Sequence, residues 1–125
     1  RRKLQLAELY QRVQPHVVHS RFATIPFDHA IENGMWHVIQ PISFDSADEN
    51  RMLDKATKWA GRLQSISDRA NEVKPYFVTG KPSDQALLPQ YRRMVDFLKA
   101  SPMQPVVMDE AQAGELVAAV AEHLN

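Results

Sequence analysis

A chain of 125 residues, 44% hydrophobic and 24% charged, is long enough for one domain around one core and too apolar for a disordered segment. Fifteen basic residues balance fifteen acidic ones, so any attraction for nucleic acid has to come from local clustering and not from net charge. The absence of cysteine excludes disulfides, zinc-thiolate centres and a cysteine nucleophile, and no run reaches the roughly 20 apolar residues of a membrane span. A cytoplasmic protein is expected, with no cofactor and no membrane contact. The chain starts at Arg1 without a methionine, which leads us to expect a single domain, residues 1–125, excised from a longer polypeptide.

Residues 3–14 place Leu4, Ala7, Leu9 and Val13 at helical spacing, and Pro15 stops the pattern. Residues 16–21 are β-prone and run into a first hairpin strand without a turn signal, with Pro26 marking a bulge or a strand edge. Over residues 22–44, two β-rich runs flank Asn33-Gly34, the dipeptide best suited to the positive φ angles of a two-residue turn. Such a turn sets Ile31 opposite Trp36, His29 opposite Val38 and Asp28 opposite Ile39. Opposed residues share a face. The core face is then expected to carry Ala23, Ile25, Phe27, His29, Ile31, Trp36, Val38, Gln40, Ile42 and Phe44, and the other face Thr24, Pro26, Asp28, Ala30, Met35, His37, Ile39, Pro41 and Ser43.

Ser46 and Glu49 form the expected capping box of a long helix, whose apolar stripe is Met52, Ala56, Trp59, Leu63, Ile66, Ala70 and Val73. One position earlier runs a second stripe of cations, Arg51, Lys55, Lys58, Arg62 and Arg69. Residues 75–79 read as a short strand. Residues 80–83 are a turn and not a phosphate loop, because the glycine-rich approach is missing and Pro82 precedes Ser83. A third helix, proper from about Pro89, turns Leu88, Tyr91, Val95 and Leu98 inward, and Ser101-Pro102 ends it. Residues 105–108 form a fourth strand, and Asp109 caps a last helix built on Leu116, Val117, Val120 and Leu124. The order α-β-β-α-β-α-β-α predicts an α/β fold with a mixed sheet of about four strands. Its hairpin is antiparallel, its other strands are parallel, and helices cover both faces.

Several of these features together resemble a known pattern: a strand bearing Phe27-Asp28, a hairpin, a partner strand with Gln40 and Ser43-Phe44, a capped helix with central Trp59, and a short strand. They resemble uncharacterised bacterial and phage domains regarded as degenerate relatives of the restriction-endonuclease-like PD-(D/E)xK superfamily. In active members, an Asp on one strand and an acidic-x-Lys triplet on its hairpin partner converge on a divalent metal that activates water. The resemblance puts Asp28 in place of that first Asp. Its expected companions, His37, Ile39 and Pro41, supply neither carboxylate nor lysine, so the likeness implies a site without catalysis.

From the residues alone, Asp28 and His37 lie diagonally on one expected face and are candidates for an acid–base pair that lacks a nucleophile. His29 and Gln40 sit among apolar neighbours as buried polar groups or as pocket lining. His16 and His19 point to opposite faces of an extended strand, which disfavours a shared metal. The cationic stripe has spacing close to that of phosphates along one strand, so Arg51, Lys55, Lys58, Arg62 and Arg69 are the candidates for contacting a nucleic acid backbone. The competing reading is solvated charge flanking the core and paired with Asp48, Asp54 and Glu72. The expected function is a non-catalytic interaction module of a phage, mobile-element or bacterial defence or regulatory protein. It would contact a protein partner, DNA backbone or another copy of itself in a homo-oligomer. The alternatives are a metal-dependent nuclease, using Asp28 with Asp45 or Glu49, and a purely structural oligomerisation domain.

Overall fold

A computed structural model of the chain describes residues 12–45 and 47–114. Its strands are β1 (Gln14–His19), β2 (Thr24–Glu32), β3 (Trp36–Ser43), β4 (Val73–Gly80) and β5 (Val106–Asp109), and its helices are α1 (Glu49–Ser65) and α2 (Leu88–Lys99). The strands form one five-stranded sheet in the order β1-β2-β3-β4-β5. The first three alternate in direction, whereas β4 runs parallel to β3 and β5 parallel to β4. The fold is thus mixed α/β as expected, with five strands where about four were expected. The additional strand is β1, and Gln14 already belongs to it and not to a first helix. Of that expected first helix Arg12 is helical and Val13 is not, and residues 3–11 lie outside the described residues, as do Leu116, Val117, Val120 and Leu124 of the last helix. No described helix is long and apolar enough to cross a membrane.

The missed strand is separated from β2 by a turn built on a single serine. Ser20 Oγ accepts the N–H groups of Phe22 and Ala23 at 3.3 and 3.0 Å, and donates to the Ser65 carbonyl at 2.7 Å. A serine hydroxyl thus does locally what a Gly or Asn would otherwise do. Its bond to Ser65 also pins the turn to the end of α1.

The hairpin register differs by one residue from the expected one. Glu32 lies opposite Trp36, Ile31 opposite His37, Ala30 opposite Val38 and His29 opposite Ile39. The Asn33 N–H bonds the Met35 carbonyl at 2.8 Å, so Gly34 alone turns the corner, at φ +73. A second irregularity lies on β2. His16 pairs with Phe27 but Gln14 with Ala30, so Asp28-His29 carries one extra residue. Such a bulge reverses the alternation of faces beyond it. Phe27 and Ala30 therefore both belong to the core beneath the helices, while Ile31 packs with Tyr76 in a separate cluster. His29, expected in the core, is exposed.

Asp48 is the observed cap of α1: its carboxylate accepts the Arg51 N–H at 2.8 Å, and the helix opens at Glu49, while Ser46, the expected cap, lies outside the described residues. Met52, Ala56, Trp59 and Leu63 are buried as the periodicity requires, but the helix stops at Ser65 and Val73 starts β4. Replacing Asp48 by alanine is expected to cost about 1 kcal/mol of unfolding free energy, measured by urea denaturation. Pro89 sits in the first turn of α2, which buries Tyr91, Met94 and Leu98. Both described helices share one core with Phe27, Val38, Phe44 and Phe77, so among the described residues the helical cover is on one face. Asp109 forms a capping box with Gln112, as its position suggested.

Candidate functional site

The cationic stripe lies along one edge of α1, and each member meets a different neighbour. Lys55 Nζ donates to the Ser43 carbonyl at 2.6 Å, where β3 ends. The Arg62 guanidinium lies 4.5 Å from the centroid of the Trp59 ring. Arg69, in the short turn after α1, donates from Nε to the His19 carbonyl at 2.9 Å and approaches Glu72 at 3.6 Å. Arg51 and Lys58 are exposed.

A carbonyl dipole or an aromatic face orients a cation without cancelling its charge. Among the described residues, Arg69 is the one member of the stripe with an ion-pair partner. The expected pairing with Asp48 and Asp54 is not observed: Asp48 caps the helix and Asp54 stands exposed. Arg51, Lys55, Lys58 and Arg62 thus stand along this edge with no carboxylate within ion-pair distance among the described residues.

The β1–β2 turn extends this edge. Arg21 donates its backbone N–H to Asp68 at 3.2 Å, and its guanidinium lies 5.1 Å from the ring centroid of Phe22, which is 72% exposed. Sequence reasoning placed Phe22 at the start of a strand and gave it no role. On the other side of Arg69 the rings of His16 and Trp36 stack across the intervening strand, with centroids 3.7 Å apart and planes 7° from parallel. This stack borders an open cleft of about 280 Å³, which is also lined by His19, Arg69, Glu72 and Val73. Desolvation lowers the His16 pKa from its ordinary value of 6.5, opposed by the nearby Glu32 charge and assisted by His19. Nothing in the sequence joined His16 to Trp36, which stand on β1 and β3.

The other candidates do not assemble. His37 is buried and its Nδ1 is joined to the Tyr76 hydroxyl by a 2.8 Å hydrogen bond. Asp28 is exposed and no hydrogen bond or ion pair joins it to His37, so the expected acid–base pair does not form. The one-residue change of register is the reason. The expected pocket pair is likewise unjoined: His29 is exposed, and half-buried Gln40 donates its amide to the Pro41 carbonyl at 2.9 Å. Asp45 accepts from both the N–H and the hydroxyl of Ser83, at 3.2 and 2.9 Å. Among the described residues, no group of three or more His, Asp or Glu side chains is placed to hold a metal.

A second concavity, of about 320 Å³, lies where β4 and β5 end beside α2. Within it Thr79 Oγ1 and the Tyr91 hydroxyl are 2.6 Å apart, and Lys81 pairs with Asp109 at 3.3 Å. The α1 edge, with its unneutralised charge, offers more to a partner. Comparison of the chain with protein-family models, with curated proteins and with solved structures returned no match.

Proposed function

We propose that this domain is a non-catalytic binding module that holds the phosphate backbone of a nucleic acid along the α1 edge. The observation that carries this reading is the absence of carboxylate partners for Arg51, Lys55, Lys58 and Arg62 among the described residues. Helical steps of three and four residues set these cations ~6 Å apart, comparable to the distance between successive phosphates on one strand. Lys55 and Arg62 are already held in place by a carbonyl and a ring, so less side-chain entropy is lost when a phosphate arrives. The reading also draws on the hairpin's resemblance to a nuclease fold that has lost its metal-binding triplet.

Arg51 and Lys58 are the residues to reverse, because both are exposed and neither side chain supports the fold. The double variant Arg51→Glu/Lys58→Glu is expected to weaken DNA binding at least about tenfold at low salt and to reduce the slope of log affinity against log salt by about 2. Fluorescence anisotropy with labelled DNA, titrated at several salt concentrations, measures both. DNA binding that is absent at low salt, or unchanged in the double variant, removes the proposal. The metal-dependent nuclease has less support, since Asp28 is exposed and Asp45 is engaged by Ser83.

A further inference from the structure

We propose that the cleft between β1 and the Arg69–Val73 turn receives one unpaired base, so that the nucleic acid held by the α1 edge is single-stranded. This inference rests on the backbone-binding reading and names the substrate class of the same surface. Three observations support it, beginning with continuity. Arg69 is both the last cation of the stripe and a wall of the cleft, so a strand tracking the edge is led to its mouth.

The second observation is the kind of surface the cleft presents. His16 and Trp36 line it as a parallel aromatic pair, and the ion-paired Arg69 and Glu72 add a guanidinium and a carboxylate to its wall. A base needs an aromatic face to stack on and polar groups at its edge. Burial favours the uncharged form of His16 near neutral pH, which suits an apolar ring contact. About 280 Å³ has room for one planar ring system but not for a base pair with its backbones.

The third observation is Phe22, whose ring is 72% exposed beside Arg21 at the neighbouring turn. An aromatic ring exposed to water beside a cation is of little use to a duplex, whose base faces are hidden. It is useful to a strand whose bases are free to stack.

The test uses the full chain, a short oligo(dA), and the same strand annealed to oligo(dT). Intrinsic tryptophan emission reports on Trp36 and Trp59, the two tryptophans of the chain. Oligo(dA) is expected to quench part of that emission and to bind about tenfold more tightly than the duplex. Trp36→Phe should abolish the quenching while leaving duplex binding unchanged. Phe22→Ala, an exposed position, should also weaken oligo(dA) binding without altering the melting temperature. Equal binding of single strand and duplex overturns the inference and leaves the basic edge standing. Quenching that persists in Trp36→Phe does the same. Failure of both probes to bind at low salt overturns the edge reading and this inference together.

Discussion

Replacing Phe77 by alanine is expected to lower the unfolding free energy by about 3–5 kcal/mol, the largest effect of any single substitution considered. Phe77 lies on β4 with β3 on one side and β5 on the other, paired with Gln40 and Val107, and its side chain is 0% exposed. Its ring meets Trp59 of α1 edge-on, with centroids 6.0 Å apart and planes at 62°. Truncation therefore removes apolar burial and also leaves a cavity between two β-neighbours and a helix, a place with little freedom to collapse. Urea denaturation should show a lower midpoint with an unchanged slope. Phe77→Leu, which keeps most of the volume, should cost about 1–2 kcal/mol. A loss below about 1 kcal/mol in the alanine variant would mean that Phe77 is not at the packed centre.

The second large effect is a loss of stability at alkaline pH that Tyr76→Phe abolishes. Burial raises the Tyr76 pKa from an ordinary value of 10.0 to about 12, and the residue is 4% exposed. Below pH 10 the phenol is protonated in both folded and unfolded chains, so its contribution is fully present. Between about pH 10 and 12 the unfolded chain gives up the proton while the folded one keeps it, and stability falls with rising pH. A shift of about two units corresponds to about 2–3 kcal/mol lost by the upper end of that window. Lysines titrate in the same range, so the quantity to measure is the difference between the native chain and Tyr76→Phe across the window. At neutral pH the variant should be about 1 kcal/mol less stable, because the bond to His37 Nδ1 is gone. Parallel pH profiles for the two proteins would contradict the buried-phenol assignment.

The long helix was the most legible part of the chain. Met52, Ala56, Trp59 and Leu63 recur at helical spacing, and a period of this kind depends only on residues one turn apart. The cations beside them were legible for the same reason. Pro89 in the first turn of α2 and Asp109 as a cap followed from equally local chemistry. The helix start was misplaced because Ser46 and Asp48 are both good capping residues close together.

The sheet was less legible, although its strands were largely found. Asn33-Gly34 marked the hairpin correctly but not its offset, since a corner at Gly34 alone and a two-residue loop use the same dipeptide. The bulge at Asp28-His29 left no signal that could be told from regular alternation. β1 was hidden because its turn depends on one serine whose hydroxyl bonds a helix end 45 residues away.

Taken alone, the amino-acid order determined most of the helical and extended segments and that Arg51, Lys55, Lys58 and Arg62 share one helical edge, because those properties arise from neighbours within a turn or two. Tertiary structure decided which way each β side chain points, which partners the cations meet, and that His16 lies against Trp36. One residue added to a strand or a turn turns every later side chain to the opposite face while leaving local propensity almost unchanged. That choice is made by how well Phe27, Ala30, Val38 and Phe77 fill the space beneath α1 and α2.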